Sequence, residues 1–255
     1  MSIKIDLSGH VAVVTGGSGY IGRVICRTLA EAGAKVAVHY HNNSEMANRV
    51  VKDIEAMGGQ AIAVQADTSD LNSTEAMRNI IQEKLGTVDI VVNAAVAQYD
   101  WTTVLEQDLK DYESQFRTCI MQNVCMAKAF IPNMQMNNWG RFIAINTECS
   151  VQAFPTQSAY VAGKRGMDGM LRVLAKEVGP YNITVNQVAP GWTITDRDRQ
   201  NGTEKCPSYD DNVPLRRRGT DQDISNAVCF LASDLASYIT GVYLPVCGGN
   251  IIPGL

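Results

Sequence analysis

Short apolar runs recur along the chain, each followed by a longer stretch whose apolar positions fall three and four apart. VAVVT leads into an amphipathic stretch from about Tyr20 to Ala32. KVAVHY precedes EMANRVVKDIEAM, QAIAV precedes STEAMRNIIQEKL, and VDIVVNA precedes a helical region between about Leu109 and Met136. RFIAIN precedes a helix from about Gln157 to Val178, which Gly179 and Pro180 stop. ITVNQVA precedes a polar loop and then ISNAVCFLAS, and GVYLPV is the last run. The short runs are rich in Val and Ile and apolar on both sides, as strands covered on both faces of a parallel sheet are. Strict alternation of strand and helix predicts an α/β fold: a doubly wound, seven-stranded parallel sheet with helices on both faces. No linker, repeat or low-complexity segment divides residues 1–255, so one domain is expected. Its longest irregular region, 191–213 (GWTITDRDRQNGTEKCPSYDDNV), has the polarity and length of a mobile lid over a site.

Composition narrows the classes. The residues are 45% hydrophobic and 19% charged, with a net charge of -4, which points away from a nucleic-acid surface. Arg216, Arg217 and Arg218 read as a solvated loop edge, with phosphate contact as the lesser alternative. The first ten residues lack the apolar core of a signal peptide, and no run reaches membrane-spanning length. The seven cysteines form no C-x-x-C pair and most sit in apolar runs, so they are expected to be reduced, in a cytoplasmic protein. His10, His39 and His41 make no metal-ligand cluster with them, and no metal is expected.

The chemistry begins at TGGSGYIG. Gly16, Gly19 and Gly22 follow a strand and open a helix. Glycine lets a backbone turn tightly and approach a pyrophosphate, while the helix N-terminus offers free N–H groups and a positive dipole end. A dinucleotide cradle of the Rossmann type is therefore expected in the first βα unit. Gly163, Gly166 and Gly169 repeat the spacing inside a helix with no strand before them, and read as sites of close helix packing, within or between subunits.

TGGSGYIG resembles the short-chain dehydrogenase/reductase superfamily, in the T-G-x-x-G-x-x-G spacing of its extended branch, which includes nucleotide-sugar enzymes. The rest of the chain is similar to the single-domain branch, whose spacing is T-G-x-x-x-G-x-G. Tyr160 and Lys164 match its Y-x-x-x-K, Pro190, Gly191 and Thr195 match its P-G segment, and YITG and CGG match its closing motif. Four positions depart from the family pattern. NAAV keeps Asn93 but places Ala94 and Val96 where the family has Asn and Gly, Cys119 stands where it has a helix Asn, and Cys247 stands where it has Asp.

Tyr160 and Lys164 are four apart on one helix face. An ammonium beside a phenol lowers its pKa and suits it to proton exchange with a carbonyl or alcohol oxygen. The resemblance makes Tyr160 the proton-transfer residue, Lys164 its partner and ribose ligand, and Thr147, at the family's serine position, the hydroxyl that orients the substrate oxygen. It places the cofactor against Gly16, Ser18, Gly19, Tyr20, Ile21 and Gly22. Further contacts fall at Tyr40, His41, Asn42, Asn43, Asp67, Thr68, Asn93, Ala94, Ala95, Pro190, Gly191, Thr193 and Thr195. At the end of the second strand, where an acid would select NAD, stands Tyr40. His39, His41, Asn42, Asn43 and Ser44 can donate to a 2′-phosphate, so NADP(H) is preferred, with NAD(H) possible.

The expected activity is hydride transfer between NADP(H) and a small-molecule carbonyl or secondary alcohol, on the pattern of the β-ketoacyl-carrier-protein reductases. The alternatives are a nucleotide-sugar-modifying member, or a cofactor-binding protein with little or no catalysis. Glu148, Gln152, Phe154, Tyr99, Trp101 and Trp192 are candidate pocket residues. The resemblance implies a homotetramer, with the glycine-spaced helix and the apolar end GVYLPVCGGNIIPGL as candidate contacts.

Overall fold

The computed structural model describes residues 4–252. Seven parallel strands form the main sheet: β1 (Val11–Thr15), β2 (Lys35–Tyr40), β3 (Ala61–Gln65), β4 (Ile90–Asn93), β5 (Gly140–Ile145), β6 (Ile183–Pro190) and, last in the chain, β9 (Tyr243–Val246). They lie in the order β3-β2-β1-β4-β5-β6-β9. All seven coincide with the apolar runs of the sequence. Side chains alternate across the pleat, so neighbouring residues serve two cores. Ala12, Val14, Val36, Val38, Ile90 and Val92 pack on one face against α1 (Tyr20–Glu31), α2 (Ser44–Ala56) and α10 (Asp221–Ala232). Val11, Val13, Ala37, Val91 and Phe142 pack on the other. There they meet α3 (Leu71–Lys84), α5 (Gln122–Asn137) and α7 (Ser158–Val178).

The strand order reverses between β1 and β4, which opens a crevice at their C-terminal ends. Everything chemical in the sequence collects along that edge.

Three regions differ from the sequence reading. The long helix is interrupted: α4 (Leu109–Gln115) passes through a π-helical turn, Phe116–Met121, before α5 begins. Residues 191–213 are not irregular throughout. They hold β7 (Thr193–Ile194), α8 (Asp196–Asn201) and α9 (Pro207–Asp210), and β7 pairs with β8 (Gly219–Thr220). A capping box between Thr195 and Asp198 starts α8.

The arginine run is a solvated edge at Arg216 and Arg217 but not at Arg218. Arg218 is 2% exposed, pairs with Asp198 at 3.0 Å and lies behind the Trp192 ring. Arg217 pairs with Asp223 at 2.7 Å. Of the helix glycines, Gly163 and Gly166 admit the π turn within the same chain. A Cβ on Gly163 would meet Gln115 at 3.1 Å and one on Gly166 would meet Ile120 at 2.5 Å, while Gly169 faces open space. Of the candidate C-terminal contact segment, Pro253, Gly254 and Leu255 lie outside the described residues.

Candidate active site

The cradle rests on two glycines. Gly16 has φ +64°, and a Cβ there would meet Ala95 Cα at 2.9 Å. A Cβ on Gly22 would run into the Gly16 carbonyl. Gly19 is different: its backbone is extended, at φ -81° and ψ 173°, which any residue adopts. The next residue, Tyr20, begins α1 with its ring half-exposed and the Arg23 guanidinium over it. Position 20 carries a side chain without strain, whereas a Cβ at 19 would press on the Gly16 carbonyl at 3.1 Å, so the middle glycine eases the turn here from position 19. The ends of the motif are fixed. The α1 N-terminus has no side-chain cap and no acidic residue in its first turn, so its first N–H groups remain available to an anion. These residues fit a dinucleotide pyrophosphate.

His39 is not a 2′-phosphate donor. It is 2% exposed, its Nδ1 accepts from the Gly16 N–H at 3.1 Å and its Nε2 donates to the Ala66 carbonyl at 3.0 Å. Burial holds its pKa down to about 4. The imidazole is a neutral prop beneath the glycine turn. Tyr40, His41, Asn42 and Asn43 lie above it at the strand end, with Asn43 capping α2 through the Met46 N–H. Asp67 folds its carboxylate onto Ser69, which lowers its pKa, and Thr68 donates to Gln122. At the end of β4, the N–H groups of Ala94 and Ala95 donate to the Thr15 hydroxyl at 3.0 and 3.2 Å, and the Asn93 amide donates to Asn123 at 2.8 Å.

The proposed reacting groups stand beyond β5. The Thr147 side chain lies near enough to the Tyr160 hydroxyl to oppose the rise of its pKa, and the Thr147 oxygen accepts from the Cys149 N–H at 3.2 Å. Lys164 is 5% exposed, donates to the Ile145 carbonyl at 2.6 Å and lies 5.8 Å from the centre of the Tyr160 ring. Burial raises the Tyr160 pKa and lowers that of Lys164, so desolvation favours the neutral phenol and the neutral amine. Tyr160 is also held through its backbone, whose N–H donates to the Tyr99 hydroxyl at 2.8 Å.

Cys119 sits in the π turn, 1% exposed, its thiol 3.7 Å from Gln115 Oε1. Asn123 donates to the Cys119 carbonyl at 2.7 Å and accepts from Asn93. Both ends of its amide are therefore tied into the framework. After β6, the Thr193 hydroxyl donates to the Gly191 carbonyl, and that of Thr195 is engaged in the α8 capping box. Their backbone remains at the mouth of the crevice. Among the described residues no group of His, Cys, Asp and Glu is placed to hold a metal.

Sequence reasoning missed the fixing partners: Gln122, which takes hydrogen bonds from Thr15 and Thr68, and Tyr209, which reaches Glu148. No sequence motif announces either, since each contact joins segments far apart in the chain.

A doubly wound sheet with a glycine cradle at its switch point, and a Thr–Tyr–Lys cluster beside it, defines a nicotinamide-dependent oxidoreductase. Comparison with known proteins sharpens this class. A family model described as enoyl-(acyl carrier protein) reductase matches residues 17–250. The 3-oxoacyl-[acyl-carrier-protein] reductase FabG of Staphylococcus aureus is 36% identical over 248 residues, covering 93% of this chain and 96% of that protein. The 3-oxoacyl-[acyl-carrier-protein] reductase of Synechocystis is 34% identical, covering 96% and 98%. Among solved structures, a 7α-hydroxysteroid dehydrogenase complexed with NADH and 7-oxo glycochenodeoxycholic acid superposes with a TM-score of 0.89 at 30% identity, covering 98% of each chain. The chain belongs to the short-chain dehydrogenase/reductase superfamily, and it is an oxidoreductase that moves hydride between a nicotinamide cofactor and a carbonyl or alcohol.

Proposed function

We propose that the protein is an NADP(H)-preferring carbonyl reductase whose reaction is carried by Tyr160, Lys164 and Thr147. The observation that carries this reading is the convergence of these three side chains beside the glycine cradle, with Thr147 close to the phenol and the Lys164 Nζ 5.8 Å from its ring. The α1 N-terminus, Gly16 and Gly22 would hold the pyrophosphate, and the segments after β2, β3, β4 and β6 the remainder of the cofactor. The bound dinucleotide supplies a hydride equivalent to the carbonyl carbon. Thr147 donates a hydrogen bond that orients the carbonyl oxygen. Tyr160 gives its proton to that oxygen as charge develops there, which yields the alcohol. Burial favours the protonated phenol, the form that reduction needs. Lys164, held as the ammonium, stabilises the phenolate left behind.

NADP(H) is favoured because β2 ends at Tyr40 with no carboxylate to repel a 2′-phosphate. One solved relative, a gluconate 5-dehydrogenase from Burkholderia cenocepacia in complex with NADP and tartrate, is 25% identical with a TM-score of 0.88. A cytoplasmic location accords with seven free cysteines, and no helix among the described residues is long and apolar enough to cross a membrane. A homotetramer accords with the apolar groove between α4 and α7, where Phe116 is half-exposed beside Tyr112 and Ile120. Light scattering at micromolar concentration tests the assembly, and a monomer rejects it. Loss of NADPH absorbance across a panel of carbonyl compounds tests the activity. No turnover of any compound, with cofactor bound, would reject it.

A further inference from the structure

Three adjacent strands of the sheet, β4, β5 and β6, each deliver one large aromatic side chain from the loop at the C-terminal end. Trp101 follows β4, Phe154 follows β5 and Trp192 follows β6, and they are 48%, 51% and 50% exposed. A protein normally covers such rings, and half-exposed aromatics clustered at one sheet edge mark a contact surface. Two of the rings are fixed in place. Trp101 stacks on the ring of Tyr160, with centroids 6.2 Å apart and planes 24° from parallel. Trp192 meets Tyr209 edge-on at 5.5 Å, with the Arg218 guanidinium stacked on it at 4.5 Å. Rigid rings held ready lose little freedom on binding.

Charge distinguishes the occupant further. Residues 94–108 and 146–157, the loops after β4 and β5, contain no lysine or arginine. They contain Asp100, Glu106, Asp108 and Glu148 instead. Arg218 behind Trp192 is already paired with Asp198, and Arg199 of the lid with Asp221. Apart from Lys164, the loops after β4 and β5 therefore offer no cation to a carboxylate or phosphate.

We infer that the substrate is an uncharged, flat, ring-bearing ketone whose rings lie against Trp101 and Trp192 while its carbonyl reaches Tyr160. Aromatic faces stack on flat rings and give a flexible acyl chain no comparable gain. The inference rests on the reductase reading above, and names the substrate class for the same site.

The test compares wild-type kcat/KM with NADPH for a fused-ring aryl ketone and for an acyclic β-keto thioester carrying a phosphate. The ring ketone should be favoured at least about tenfold, the scale of one or two aromatic contacts. Trp101→Ala should raise KM for the ring ketone about tenfold with kcat changed far less, and Trp101→Phe should recover most of the loss. Equal or reversed preference overturns the inference, as does an unchanged KM in Trp101→Ala. Binding is read separately from turnover by tryptophan emission. Of the three tryptophans, Trp139 lies at the opposite end of the sheet, before β5. The ring ketone should quench wild-type emission saturably, and the Trp101→Phe, Trp192→Phe double variant should lose that quenching. Saturable quenching without turnover rejects the reductase reading and keeps the ring site. Turnover without quenching does the reverse.

Discussion

Tyr209, in the lid helix α9, donates a 2.8 Å hydrogen bond to the carboxylate of Glu148, the residue that follows Thr147. The Tyr209 oxygen in turn accepts from the Trp192 N–H at 2.9 Å, and the other Glu148 oxygen accepts from the Asn250 amide at 3.0 Å. One buried carboxylate thus joins the end of β5, the lid and the segment after β9. Glu148→Ala strands the Tyr209 and Asn250 donors, and should raise substrate KM about tenfold with a smaller loss of kcat. Glu148→Gln keeps one acceptor, and a flip of Asn250 restores the second contact. Its KM should stay within about twofold of wild type, by the same hydrogen-bond count. Equal damage in both variants would remove the latch role.

Glu148 also sets a pH trend. Burial raises its pKa above the ordinary carboxylate value, despite the Asn250 and Tyr209 hydrogen bonds. Between the ordinary and the raised value the folded state holds the proton more tightly than the unfolded state does. Stability from this group therefore falls as pH rises through that window. Glu148→Gln should flatten this slope in thermal unfolding and be at least as stable as wild type at pH 8. A parallel pH dependence in both proteins would reject the assignment.

Tyr160→Phe removes the hydroxyl while the ring keeps its place against Trp101. Turnover should fall on the order of 100-fold to 10,000-fold, with cofactor affinity retained in a fluorescence titration. Rates near wild type would exclude Tyr160 as proton donor.

Cofactor choice is tested at Tyr40. Wild-type protein should bind NADPH more tightly than NADH. Tyr40→Asp should reverse the order, because a carboxylate accepts from the ribose and repels a 2′-phosphate. Tighter NADH binding by the wild type would end the NADP(H) assignment.

The seven strands were legible because each is apolar on both sides, and β1 shows why that suffices: Val13 and Val14 enter opposite cores. The cradle was legible through Gly16 and Gly22, which sterics demand. His39 was misread, since a histidine beside other polar residues at a strand end looks exposed until the pleat turns it under Gly16. The π turn was invisible, because Phe116–Met121 carries no breaker and the room it occupies is left by Gly163 and Gly166 of α7, distant in sequence. Arg218 was misread for a related reason. Its partner Asp198 is 20 residues away, so a local charge run concealed a buried ion pair.

The π turn carries its own prediction. Asn123 bridges Asn93 and the Cys119 carbonyl, so Asn123→Ala leaves the buried Asn93 donor unpaired and should cost about 1–3 kcal/mol of stability. Cys119→Asn restores the family's amide beside Lys164. It should raise turnover without changing NADPH affinity, since an amide donates and accepts far better than a thiol. Unchanged turnover would mean that proton supply to Tyr160 does not pass through position 119.

The strongest acid-side prediction lies at His39. Its Nδ1 accepts from Gly16, so the ring must be the neutral tautomer that carries its proton on Nε2. Its folded pKa, about 4, lies below the ordinary value of 6.5 because burial opposes the charge. The unfolded chain takes up a proton as pH falls below 6.5 and the folded chain does not. Stability from this residue is therefore complete above pH 6.5 and declines down to about pH 4, by a total on the order of 3 kcal/mol. His10 should act in the opposite sense. Its hydrogen bond to Asp89, at 2.8 Å, raises its pKa against the opposing effect of burial, so its contribution is present below 6.5 and lost as pH rises through the raised value. The two are separated by His39→Asn and His10→Gln in thermal unfolding between pH 4 and 8. Asparagine can accept from Gly16 through its Oδ1 in place of Nδ1 and does not titrate, so the variant should lose stability less steeply than wild type below pH 6.5. His10→Gln should leave that acid limb intact and flatten the curve above it. The His39 effect should also appear at the cradle. Protonated Nδ1 cannot accept from Gly16, so wild-type NADPH affinity should weaken towards pH 4 more than that of His39→Asn. Matching acid limbs in the two proteins would show that His39 does not govern the turn beneath the cofactor.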